Sequence, residues 1–88
     1  MLSSILEKKI SDFKKEDFTK KQLAIIELVG TGLSNDEIAN KLLISKETVK
    51  SHLKLIYRKL DPYYRNLNSS TYRVQVAILW LTQFSRKN

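Results

Sequence analysis

Three helix-start signals follow one another through the middle of this chain, and their spacing limits how long any element there can be. Thr19 is followed three residues on by Gln22, and Ser34 by Glu37. In each pair the hydroxyl is placed to accept from a first-turn amide while the second side chain reaches back to the cap amide. Ser45 opens a third helix at KET, whose Glu47 sits where the helix dipole favours a carboxylate. Gly30 and Gly32 are read as ending the first helix, because a helix C-terminus often needs a residue at positive φ. Asp61 and Pro62 end the third, since proline lacks an amide hydrogen and pushes its predecessor out of helical space. The second helix, held between these signals, has about two turns.

The apolar residues supply an inner face for each helix. Ile25, Ile26, Leu28 and Val29 serve the first, and Ile38, Ala39 and Leu42 the second. From Lys46 to Leu60, Val49, Leu53, Ile56 and Leu60 fall within about 60° of one another at 100° per residue. Upstream, Leu2, Ile5, Leu6, Ile10 and Phe13 recur at helical steps after the capping pattern SILE, which predicts an amphipathic helix of about three turns. Downstream, DPYYRNLNSST is a polar, turn-rich connection. A last helix is expected from about Thr71 to Ser85, with Val74, Ala77, Ile78, Leu81 and Phe84 on one stripe and Trp80 beside it. The expected architecture is all-α: a four- to five-helix bundle containing a helix-turn-helix, with an N-terminal amphipathic helix in residues 1–17 and the helix-turn-helix domain in residues 18–88, forming a single folded unit.

Charge narrows the function. Sixteen Lys and Arg against nine Asp and Glu give the chain a net charge of +7. Lys46, Lys50, Lys54, Arg58 and Lys59 against Glu47 alone place +4 of it on one fifteen-residue helix. Lys50, Lys54 and Arg58 recur every four residues opposite the apolar stripe, so a polyanion is the expected partner. Binding to a membrane surface is weakly supported, because the N-terminal helix carries few cations and a short apolar face. No apolar run approaches the roughly 20 residues of a membrane span and no signal-peptide core is present, so a cytoplasmic location is expected.

The chain has no cysteine and one histidine. His52 lies beside the core stripe with no second ligand or carboxylate at a suitable spacing, so neither a metal nor a cofactor is expected. With no nucleophile and base pair, no acidic cluster and no glycine-rich phosphate loop, the sequence does not read as an enzyme.

Two short helices joined by LLIS, the second cationic on its outer side, have the pattern of a helix-turn-helix, whose second helix enters the major groove. Residues Phe18 to Leu60 resemble the LuxR/GerE-type DNA-binding domain without a gap, through SNDEIA, ISKETVKSH and IYRKL at the family's relative spacing. RVQVAILWL, at Arg73 to Leu81, resembles the start of the family's fourth helix. The resemblance implies a sequence-specific regulator of transcription that binds double-stranded DNA as a homodimer, with residues 46–60 in the major groove.

On that reading Lys50, Ser51 and Lys54 face the base edges, where lysine donates to guanine O6 and N7 and a hydroxyl serves either pair. Lys46, Tyr57, Arg58 and Lys59, with the hydroxyls of Ser45 and Thr48, reach phosphates. Val74, Ile78 and Leu81 form the dimer seam. RNA polymerase or a regulatory protein is a further candidate partner.

The sequence departs from the family at several points. Gln22 and Ala24 stand where acidic residues are common and Lys21 where arginine is, so ion pairs from the first helix to the reading helix are not expected. Twelve residues separate Leu60 from Arg73, more than is usual.

Other readings stand beside this one. A protein-interaction or antagonist module would keep the fold and lose DNA binding. A polymerase-associated module of the sigma-factor kind is disfavoured by TVKSH and IYRKL. The stripe on the last helix would, alternatively, close the monomer core, leaving the N-terminal helix to meet a partner.

Overall fold

The computed structural model describes residues 12–61 and 69–85. After a 3-10 turn at Lys15–Asp17 come helices α1 (Lys20–Gly30), α2 (Asn35–Leu42), α3 (Lys46–Leu60) and α4 (Ser69–Leu79), the last running on into a π-helical turn at Trp80–Phe84. Among the described residues there is no strand, and the protein is all-α as its capping pattern requires. The expected N-terminal helix before Asp12, and residues 62–68 of the connection, lie outside the described residues.

The caps form as read. Gln22 N–H donates to Thr19 Oγ1 at 3.1 Å while Gln22 Oε1 accepts the Thr19 N–H at 3.0 Å. Glu37 and Ser34 exchange the same pair at 3.2 and 2.8 Å, and Thr48 N–H donates to Ser45 Oγ at 3.0 Å. These bonds satisfy amides that have no partner within their own helix.

The ends of α1 and α2 differ from expectation. Gly32 takes the positive φ, at 95°, but Gly30 is a helical residue that is needed for another reason. A Cβ at Gly30 would stand 2.6 Å from Trp80 Cβ, so its missing side chain lets α4 approach α1. Past α2 the left-handed residue is Leu43, at φ 58°, with Ile44 N–H turned back onto Ala39 O at 3.0 Å. Such a turn normally favours glycine or asparagine.

Ile25, Ile26 and Val29 of α1, Ile38 and Ala39 of α2, and Val49, Leu53, Ile56 and Leu60 of α3 close into one core. Phe13 joins it through Phe18, whose ring packs edge-on against Phe84 at 5.9 Å. α4 lies across α1 and contributes Val76, Leu79 and Phe84 to this core.

The inner face of α4 is therefore not Val74, Ile78 and Leu81, which are exposed at 58, 43 and 58%, so the alternative in which these three close the monomer core does not hold. The π-turn, marked by Ser85 N–H donating to Trp80 O at 2.8 Å, takes up one extra residue and brings Phe84 back onto the inner side.

Candidate nucleic-acid interface

One side of α3 is sealed into the core, and its opposite side is the charged row. Lys50, Ser51, Lys54 and Arg58 are all exposed there, which the four-residue recurrence requires once Val49, Leu53, Ile56 and Leu60 point inward. Lys46 and Ser45 stand exposed at the start of the same helix. Ser45 Oγ and Thr48 Oγ1 lie 2.8 Å apart, so the hydroxyls expected at phosphates already serve the cap. Each keeps lone pairs or a rotatable proton for a further partner.

Two acidic side chains lie close to the row. Lys46 Nζ is 3.5 Å from Asp36 Oδ1, and Lys50 Nζ is 3.7 Å from Glu47 Oε2. The lysines are about half exposed and the carboxylates largely so, and pairs of this kind contribute about 0–1 kcal/mol. They hold the lysines weakly and leave them able to exchange onto a polyanion.

Two residues expected at phosphates have partners within the chain. Tyr57 is a core residue at 4% exposure, its ring stacked on Tyr72 with centroids 5.6 Å apart. Lys59 lies about 100° round the helix from Arg58, and its Nζ donates to Asp17 O at 2.6 Å and Gln22 Oε1 at 2.9 Å. It also sits 5.2 Å from the Phe18 ring centroid. Both positions border the inner face of α3: Tyr57 turns into the core, while Lys59 stays exposed with its ammonium within reach of groups on the first helix and the turn before it. The first helix and α3 are thus linked by a hydrogen bond from an ammonium to an amide oxygen rather than by an ion pair.

The sequence reading gave no task to Tyr72 and Arg73. Tyr72 OH donates to the Asp61 carboxylate at the end of α3. Arg73 Nη1 and Nη2 donate to Asn35 Oδ1 at 2.6 Å and Leu33 O at 2.7 Å. The resemblance located Arg73 but carried no task for it, and no local pattern ties Tyr72 to Asp61. Val74, Ile78 and Leu81 share the outer side of α4, and His52 is half-buried beside the α3 core stripe. No helix among the described residues is long and apolar enough to cross a membrane.

The profile of the family described as "Bacterial regulatory proteins, luxR family" matches residues 16–66, more than half of the chain and all of α1 to α3. The chain belongs to the LuxR family. This LuxR-family chain is similar to a nitrate/nitrite response regulator protein homolog of Haemophilus influenzae, 38% identical over 61 residues that make up 69% of this chain and 29% of the relative. It is also similar to the uncharacterized transcriptional regulatory protein YxjL of Bacillus subtilis, 43% identical over 46 residues, which are 52% of this chain and 21% of the relative. The HTH-type transcriptional regulator AlkS of Alcanivorax borkumensis is 48% identical over 42 residues, 48% of this chain and 5% of the relative. The chain thus spans less than a third of the length of these relatives. No solved structure matches the chain.

Proposed function

We propose that this LuxR-family chain binds double-stranded DNA in a sequence-specific manner and regulates transcription, with α3 in the major groove. The observation that carries the reading is the exposed row Lys50, Ser51, Lys54 and Arg58 on a helix whose other side is fully buried. Lys50, Ser51 and Lys54 meet base edges, while Ser45, Lys46, Thr48 and Arg58 fix the helix on flanking phosphates. Membership of a family of bacterial regulators, and relatives named as transcriptional regulators, support the same reading. Two copies join through Val74, Ile78 and Leu81 and read half-sites about one helical turn apart.

Titration of a generic duplex at two salt concentrations, with wild type and Lys50→Ala/Lys54→Ala, tests this. The expected result is binding by the wild type and a several-fold loss in the folded double variant. The slope of log K against log salt should also fall, by up to about 0.9 for each lysine that reaches a phosphate. A folded wild type that binds no duplex would sink the reading and turn the search toward a protein partner.

A further inference from the structure

Tyr72 and Arg73 are neighbours in α4, and between them they hold α3 by both of its ends. At the far end of α3 the Tyr72 ring stacks on Tyr57, and its hydroxyl donates to Asp61, the residue that ends the helix. At the near end the grip is indirect. Arg73 donates through one guanidinium nitrogen to Asn35, the first residue of α2, and through the other to the Leu33 carbonyl in the turn before it. From there the link to α3 is core packing, in which Ile38 and Ala39 of α2 share one buried cluster with Val49 and Leu53 of α3. Arg73, Asp36 and Lys46 line one shallow hollow.

We propose that Arg73 is a positioning residue for DNA recognition: it fixes the start of α2, and through the core packing of α2 on α3 the placement of α3, so that α4 sets how the reading helix meets the groove. The inference rests on the DNA-binding reading above and concerns its regulation. Val74, the first residue of the exposed stripe on α4, follows Arg73 directly. Whatever covers that stripe and shifts α4 therefore alters the anchorage of α3. A forked guanidinium suits this task because it presents two N–H groups in fixed directions to two acceptors on neighbouring residues; a lysine ammonium, a point charge on a flexible stem, does not.

The test uses the full chain and two duplexes of equal length, one selected by the wild type from a randomised pool and one generic. Arg73→Met, Arg73→Lys and Asn35→Ala are compared with the wild type, with helicity and thermal unfolding measured on each. Both Arg73 variants should lose about three- to thirtyfold in affinity for the selected duplex and less than about twofold for the generic one. The salt slope should stay unchanged, and Asn35→Ala should reproduce part of the loss without any change of charge. The double variant Arg73→Met/Asn35→Ala should lose no more than Arg73→Met alone, because the two residues act through one contact.

A direct phosphate contact gives a different pattern. Arg73→Met would then lower the salt slope by about one, Arg73→Lys would restore binding, and Asn35→Ala would be silent. That pattern overturns the proposal, as do folded variants that bind both duplexes like the wild type. If Arg73→Met does not fold, Asn35→Ala decides: equal discrimination between the duplexes sinks the idea. A wild type that binds neither duplex removes the DNA-binding reading itself, and this proposal with it.

Discussion

Lys59 and Gln22 meet at one oxygen: the Lys59 Nζ donates to Gln22 Oε1 at 2.9 Å, and the same oxygen accepts the Thr19 N–H at 3.0 Å. The cap of α1 and the last turn of α3 are therefore one hydrogen-bonded unit. Lys59→Met keeps the apolar stem near Phe18 and removes the donor. Its expected cost is about 1 kcal/mol in urea unfolding, below the usual range for a bond to a charged group because Lys59 is exposed. If Lys59 does not touch DNA, the salt slope of DNA binding falls far less in Lys59→Met than in Arg58→Met. Equal falls would return Lys59 to the phosphate contacts.

Gly30→Ala tests how α4 is held against α1. A methyl group at this position would meet the Cβ and indole of Trp80, and the α4 backbone has to move to admit it. Overpacking of this kind costs about 1–3 kcal/mol, offset by about 1 kcal/mol of better helix propensity, so a net loss of up to about 2 kcal/mol is expected. Trp80 is the chain's single tryptophan, and its emission should shift to the red as the ring is displaced toward water. An unchanged emission maximum and melting temperature would show that the close approach is not needed.

The parts of this fold that were legible in the sequence are those governed by local rules. Thr19 with Gln22, Ser34 with Glu37, and Ser45 act within three residues of themselves, and the caps formed where the pattern put them. The α3 core stripe was equally readable, because its polar and apolar residues separate cleanly by angle. α4 was not, since Val74, Val76, Ala77, Ile78, Leu79, Trp80 and Leu81 surround the helix and periodicity selects no side. Its register is decided by contacts distant in sequence, Gly30 with Trp80 and Tyr57 with Tyr72, and by a π-turn that resets Phe84. The partners of Tyr57 and Lys59 within the chain are hidden from the sequence for a related reason. Residues at the border of a helical stripe are assigned by their neighbours on other helices, which the pattern along α3 does not contain.

Leu43 combines two unfavourable features, a left-handed backbone and a side chain 91% exposed. The left-handed conformation costs an L-residue about 1–2 kcal/mol, and glycine escapes that cost while losing about 0.5–1 kcal/mol in chain entropy. Leu43→Gly should accordingly stabilise the protein by about 0.5–1 kcal/mol, and Leu43→Asn by a smaller amount, as read from the urea midpoint at constant slope. A loss of stability on Leu43→Gly would mean that the leucine side chain contributes a contact that outweighs its backbone strain.

The exposed stripe on α4 supplies the test of assembly. Ile78 is 43% exposed and lies outside the core, so Ile78→Glu should fold normally with unchanged helicity. If two copies meet through Val74, Ile78 and Leu81, the contact is symmetric and each copy of the variant brings its own introduced carboxylate to the seam, so one substitution acts twice. Sedimentation should then show a concentration-dependent dimer for the wild type and a monomer for the variant at the same concentration. Binding to a two-half-site duplex should weaken by about a hundredfold or more as the linkage between reading helices is lost, while affinity for a single half-site stays the same. Equal weakening on both duplexes would place Ile78 in the DNA interface, and a wild type that remains monomeric on and off DNA would remove the dimer.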